Sequence, residues 1–513
     1  MKKILFLFIF SAILVSCNNL DVTPIGVLTN ANFPQTDADA VALVNGAYVP
    51  ISLFSTYSSY MTDLPSDEEQ SGEAVTSAGA PIGTYDHTSS NAVIYIAWQY
   101  LYQGVTTAND VIDQLTAATT ISSSIKSRTI NEAKFLRALY YFNIVRYWGD
   151  APLVLHSTDT STPSRASVDA IYTQIVADLT DATALPTSYS TTTDLGRATQ
   201  GAAYALLAKV YLNWAQVGSS SDASARYQNA INAANSVTGY SLTDTYLDNW
   251  DTSKRNDYTE NIFKANHVVS QFFPGDGFNH LCHCSWVTGF SQETPHLITA
   301  SQAIFYDTWD GRDQRKKGTY AKYLYDPDSA NVYVFQIPRY RKYIDTLNIY
   351  TCATTRSMDQ TIIRYADVLL TKAEAINELN GPTADAYAAI NQVRRRAYGP
   401  YIASTGVPAN TFDLSNLTQA QFRDSLQKES LHEFTYEQQR WFNLTRWKNL
   451  LTTVKAVAAK ATTALVQKKS QISLKDYRFP IPQAEINVNP NLTQNPGWDN
   501  GPSVSSFYDS SYQ

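Results

Sequence analysis

Along most of the chain after residue 35, apolar residues recur at steps of three and four, the spacing of helices that bury one face. Asn91 to Leu115 is one such stretch. Thr129 to Trp148 is another, with Phe135, Leu139, Phe142 and Val145 on one face. It opens on Thr129-Ile130-Asn131-Glu132, which has capping-box spacing, and Gly149 and Pro152 end it. Ser167 to Leu185 and Thr199 to Trp214 form the next pair, the latter with Ala203, Leu207, Val210 and Trp214 on one stripe. Tyr227 to Val237 is shorter. The period then disappears over 240–360, where Gly, Pro, Asp and aromatics surround short strand-like pieces such as Asn331 to Ile337. It returns at Thr361 to Asn380, Thr383 to Tyr398 and Thr418 to about Leu450, where Thr418 to Gln421 again has capping-box spacing. Recurrent helix pairs rich in Ala and large aromatics predict an all-α dominated, tetratricopeptide-like scaffold. A long, irregular, loop-rich insertion interrupts it, and such insertions usually carry function.

The first residues follow a different pattern. Lys2 and Lys3 precede an apolar run from Ile4 to Val15, too short to cross a bilayer as a helix, and Leu14-Val15-Ser16-Cys17 closes it. This reads as an export signal ending in a bacterial lipobox, with Cys17 as the lipid-attachment residue and a lipid anchor as the membrane contact. The expected organisation is a signal peptide over 1–16, a lipidated tether over 17–35, an N-terminal helical region over 36–239, the insertion over 240–360 and a C-terminal region over 361–513.

Composition narrows the function. The 513 residues carry a formal net charge of −7 with no basic run, which argues against nucleic acid as a partner. Tyr, Phe and Trp number 34, 20 and 9, and Tyr and Trp combine a flat apolar face with a polar handle suited to ligand faces. Beyond Cys17, three cysteines remain, Cys282, Cys284 and Cys352, so a disulfide framework is excluded. His280, Cys282, His283 and Cys284, with His296 nearby, lack the spacing of common zinc sites, so no metal is assigned to them. Asp326, Asp328 and Asn331 are a fragment of a calcium-loop pattern without its Gly and Glu.

No phosphate-binding glycine loop, Gly-x-Ser-x-Gly elbow or His-Glu-x-x-His motif occurs. Glu429, Glu433 and Glu437 recur every four residues with Arg440 beyond. A glycosidase needs two carboxylates facing one another across the scissile bond. Carboxylates stacked on one helix instead predict a structural ion network with Arg364, Arg440 and Arg446. No catalytic residue and no resident cofactor are therefore assigned.

Several blocks carry a family resemblance. Asn131-Glu-Ala-Lys-Phe-Leu-Arg-Ala-Leu-Tyr-Tyr-Phe142, ending in Trp148-Gly-Asp-Ala-Pro152, resembles the signature helix of the SusD/RagB family of outer-membrane nutrient-binding lipoproteins. Ile363 to Ala375 is similar to a second signature, and Glu433, Glu437, Arg440 to Leu444, Arg446 and Trp447 to a third. Phe479 to Asn487, followed by Gln494-Asn-Pro-Gly497, resembles the closing segment. Ser430 and Asn443 depart from the pattern, which more often has Arg and Asp there. The resemblance implies a cell-surface lipoprotein of the outer membrane that binds oligosaccharide and sits as a lid on a SusC-like TonB-dependent transporter. Peptide cargo, as in some relatives, is the alternative, and an extracellular glycoside hydrolase or a pure scaffold stands further off.

The resemblance also places the ligand site beside the loops around the first helix pair. Asp63, Asp67, Glu68 and Glu69 there could take sugar hydroxyls or a calcium ion. Tyr85, Asp86, His87 and Asn91 lie in the matching stretch, mixing an aromatic face with hydroxyl partners. In the insertion, Phe273 and Trp286, with Phe272 and Phe278, lie among glycines that favour presentation. The expected ligand-binding set is Asp63, Asp67, Tyr85, His87, Asn91, Phe273 and Trp286. Trp98 reads as core, and the stretch Tyr306 to Asp313 as structural.

Overall fold

The computed structural model describes residues 33–71, 78–159, 161–266, 298–300, 306, 308–325, 332–340, 342, 359–399, 412–461, 464–506 and 508–512. Cys17, Phe272, Phe273, Phe278, Cys282, Cys284, Trp286, Asp326, Asp328, Asn331 and Cys352 lie outside these residues.

Eleven longer helices form the scaffold among the described residues: α1 Asp37–Thr62, α2 Ala92–Ala117, α3 Ser123–Trp148, α4 Val168–Ala182, α5 Gln200–Val217, α6 Ala223–Asn235, α7 Tyr365–Asn380, α8 Ala384–Tyr398, α9 Gln419–Phe434, α10 Arg440–Arg446 and α11 Leu450–Lys460. From α1 to α6 each helix packs on the next, α6 packs on α7, and α7 on α8 and α9. This serial stacking is the helix-pair scaffold that the periodicity predicts. Over Asp37–Ser55, α1 is long and apolar enough to meet a membrane-span criterion. Here it is a core helix, packed on α2 and α3.

Two boundaries differ from the pattern. α3 begins at Ser123, so Thr129 is not its cap; it lies fully buried inside the helix and its hydroxyl donates to the Ile125 carbonyl at 2.8 Å. The expected helix from Thr418 to Leu450 breaks into α9 and α10, and α11 begins where it was expected to end. The cap of α9 forms as predicted, with Thr418 and Gln421 bonding reciprocally. The chain then turns through Tyr436, Gln438 and Lys448, all at positive φ.

The strands pair in twos. β1 Glu69–Ser71 joins β5 Ile298–Ala300, β2 Ala151–Pro152 joins β3 Arg165–Ala166, β4 Asn261–Ala265 joins β8 Gln360–Arg364, and β6 Tyr320–Tyr325 joins β7 Val332–Tyr340. The strand-like piece expected near 331–337 is thus β7. The residues of β8 were expected to start a helix; they pair with β4 instead, and α7 begins only at Tyr365.

Candidate functional site

The loop after α1 is held from below before it reaches its strand. Lys469 donates from Nζ to the carbonyls of Leu64 and Ser66 at 2.6 and 2.5 Å. Arg440 grips Asp67 through two bonds of 2.7 and 2.9 Å. The Tyr436 amide donates to the Glu68 carboxylate at 3.2 Å. Burial alone would raise the Asp67 carboxyl, but the Arg440 guanidinium outweighs it and holds the group below its usual range. For Glu68 the balance goes the other way: burial, then the charge of Asp63, push it well above its usual range and outweigh the pull of Arg440.

So braced, the loop enters β1, which runs antiparallel to β5 in the register Glu69 to Ala300 and Ser71 to Ile298. The acidic loop after α1 and a segment of the insertion more than 200 residues further on are therefore joined at one place. The strand that follows the first loop is thereby fixed to a strand in the middle of the insertion.

Most of the nominated side chains on the first loop are used for building. Asp63 is 1% exposed, closing α1 with its amide on the Ser59 carbonyl at 2.9 Å. Tyr85 sits at φ +60, buried, its hydroxyl donating to the Pro65 carbonyl. Burial holds its phenol well above the usual range. His87 is wedged between Phe479 and Trp498, with ring centroids 5.5 and 4.9 Å away. Asn91 caps α2 by accepting from the amides of Val93 and Ile94 at 3.0 and 3.3 Å, and donates to the Ala78 carbonyl at 2.7 Å. The expectation that Tyr85 presents a face to sugar is corrected here, because the C-terminal segment covers it and its neighbours. Sequence reasoning missed the brace itself, Lys469 and Tyr436; a local pattern gives no signal for partners so distant. Trp98 is core, as expected, 3% exposed with its ring edge-on to Trp148 at 5.0 Å.

Behind the loop lies a buried ion network. Glu260, Glu429, Glu433, Glu437 and Asp313 meet Arg315, Lys342, Arg364, Arg394 and Arg396. Five carboxylates thus face five cations, a neutral cluster. Burial would raise Glu433, yet Arg396, Arg364 and Arg315 together hold it well below the carboxylate range. A general acid needs the opposite shift and an open face, and Glu433 is fully buried. The structural reading of these glutamates stands for Arg364. It is corrected for Arg440, which serves Asp67, and for Arg446, which pairs with Glu374 at 2.5 Å. The correction follows from α9 ending at Phe434, which takes Arg440 off the row of glutamates.

Glu260, Asp313, Arg315 and Lys342 belong to the irregular stretch, so the network fastens that stretch to the scaffold. Trp309 adds to this, stacked on His432 at 4.4 Å and donating to Asp313 at 2.9 Å, which bears out its structural reading.

Burial lowers His432 to about 3, with Arg315 adding to the shift, and burial and then Lys475 lower His87 to about 3. Unfolded histidine takes its proton near pH 6.5. Between about 6.5 and 3 the unfolded chain binds more protons than the fold, so stability falls as pH drops through that window. We expect His432→Phe and His87→Phe each to move the acid-unfolding midpoint to lower pH relative to their own stability at pH 7. Unchanged midpoints in circular dichroism titrations would contradict this assignment.

With fold and site in place, comparison with known proteins decides the family. A family model described as the SusD family matches residues 210–498. The chain belongs to the SusD family. A second model, described as starch-binding and associating with the outer membrane, matches residues 29–212 of this SusD family chain. A SusD-like protein of Formosa agariphila is 27% identical over 95% of the chain and 96% of its own length. Among solved structures, a SusD superfamily protein from Parabacteroides distasonis superposes with a TM-score of 0.75 at 23% identity, over 92% of this chain and all of that one. A laminarin-binding SusD-like protein superposes at 0.69 and 23% identity, over 90% of this chain and all of that one. These likenesses establish a shared helix-dominated fold.

Proposed function

We propose that the protein captures oligosaccharide at the cell surface and hands it to a SusC-like TonB-dependent transporter in the outer membrane, anchored by lipid on Cys17. The observation that supports this reading is the β1–β5 pairing, which joins the loop after α1 to the middle of the insertion. Membership of a glycan-binding family supplies the ligand class. In this reading Asp63, Asp67, Tyr85, His87 and Asn91 frame the site from beneath. Phe273 and Trp286 are the aromatic faces that stack on sugar rings, and no bond is made or broken.

The test is native electrophoresis of the mature protein, with Cys17 omitted, through gels containing a panel of polysaccharides, alongside an assay for released reducing ends. Retardation by at least one polysaccharide without release is expected. Trp286→Ala should abolish it, whereas Tyr85→Phe should preserve it. Release of reducing ends would overturn the binding role, and retention by peptides alone would replace the cargo.

A further inference from the structure

Away from the loop site, α2 forms one wall of an open groove of about 590 Å³. Pro152, Val154 and Pro163, and Glu485, Asn489 and Leu492 of the C-terminal segment, complete its lining. Its size falls in the roughly 300–1,000 Å³ range of small-ligand sites, whereas the interior cavities around Arg146 reach only about 60 and 30 Å³.

Tyr100 and Tyr102, both partly exposed, give the groove an aromatic floor, and the buried Trp98 backs it. Trp98 lies against Tyr102 with ring centroids 4.7 Å apart and hydrogen-bonds Glu485. Tyr102 donates from its hydroxyl to the Pro152 carbonyl at 2.9 Å. Beside them Tyr100 is half-buried, its ring 5.8 Å from that of Tyr57. Above this floor Gln99, Gln103 and Thr106 are exposed and line the groove. They recur at steps of four and three, so they rise along one helix face at one-turn intervals. Glu485 lines the same groove, held beside α2 by its hydrogen bond with Trp98.

Charge selects the occupant. Among the described residues lining the groove there is one carboxylate and no Lys or Arg. An anionic ligand would meet Glu485 without compensation, and a wholly apolar one would strip water from three polar side chains without replacing it. An uncharged polyhydroxyl chain satisfies this lining: its C–H faces lie on the aromatic floor while amide, hydroxyl and carboxylate groups take its hydroxyls.

We propose that this groove is a second subsite for neutral glycan, an inference that rests on the glycan-binding reading above. Thr106 lies 15 residues beyond Asn91, about 22 Å along α2 at 1.5 Å per residue. One polysaccharide chain can therefore engage the loop site and the groove together, and the second contact becomes intramolecular.

The test is calorimetric titration of the mature protein with a polysaccharide retained in the gel experiment and with a short oligosaccharide cut from it. The variants are Gln99→Ala with Gln103→Ala, Glu485→Gln, and Trp286→Ala. The wild type should bind two short oligosaccharides, and the paired glutamine variant one, with polysaccharide affinity about tenfold weaker and an unchanged melting temperature. Glu485→Gln should weaken the polymer in the same direction. Trp286→Ala should retain weak binding that disappears when the glutamine changes are added. Single-site stoichiometry in the wild type with unchanged polymer affinity in the groove variants would overturn the second subsite alone and leave the loop reading intact. Absence of all glycan binding would overturn both, and groove variants that altered only peptide retention would reassign the groove.

Discussion

Replacing Arg364 with methionine should cost about 3–5 kcal/mol of folding stability, the usual cost of removing one partner from a buried charge cluster. Arg364 is fully buried and reaches Glu260 at 2.7 Å, Glu433 at 2.5 Å and Glu437 at 2.8 Å. It also donates to the Glu433 main-chain carbonyl at 2.9 Å. Without it, five carboxylates face four cations in an interior that water does not reach. The excess charge must take up a proton or open the cluster. Because Arg315 and Lys342 lie in the stretch held by these glutamates, loosening should spread there first. Urea unfolding at neutral pH measures the loss, and limited proteolysis locates it, with early cleavage expected between β4 and β8. A loss below about 1 kcal/mol would mean that Arg396 and Arg315 alone satisfy Glu433, and the network would not be the fastening described here.

That network was legible in outline because glutamates four residues apart on a helix lie on one face. Its membership was not. α9 ends at Phe434 and the chain reverses through Tyr436 and Gln438 in the left-handed region without a glycine to mark the turn. Periodicity therefore continued the helix through to Leu450 and assigned Arg440 the wrong partner. The stacked helices were readable because apolar residues recur along them at helical spacing, even in α3, whose second half is buried on every side. The loop site was readable only as a location. Tyr85 and His87 resemble ligand groups locally, yet Phe479 and Trp498, about 400 residues further on, cover His87, and Lys469 holds the loop whose Pro65 carbonyl takes the Tyr85 hydroxyl. Contacts at that separation leave no trace in a local pattern. The groove on α2 was hidden for the converse reason, since Gln99, Gln103 and Thr106 look like any solvated helix face until the C-terminal segment completes the lining.

Gly104→Val should be the second most damaging single change, at about 3 kcal/mol, near the upper end for overpacking a well-filled core. A Cβ at this position would lie 2.5 to 2.6 Å from three ring atoms of Tyr140, well inside van der Waals contact. Tyr140 cannot simply withdraw, because it is fully buried and its hydroxyl donates to the Ala47 carbonyl at 2.7 Å, tying α3 to α1 across α2. Glycine inside a helix costs about 1 kcal/mol relative to alanine, so its presence here is explained by the close crossing. Gly104→Ala sets the two effects against each other, and the clash with ring carbons should win, leaving a net loss of about 1 kcal/mol. Tyr140→Phe should not relieve either variant, since the clashing atoms are in the ring and not the hydroxyl, whereas Tyr140→Leu should recover part of the Gly104→Val loss. A stabilised Gly104→Ala would show that α2 has room to move against α3. The groove floor on Trp98 and Tyr102, both within two turns before Gly104, would then not be rigid enough to orient a sugar.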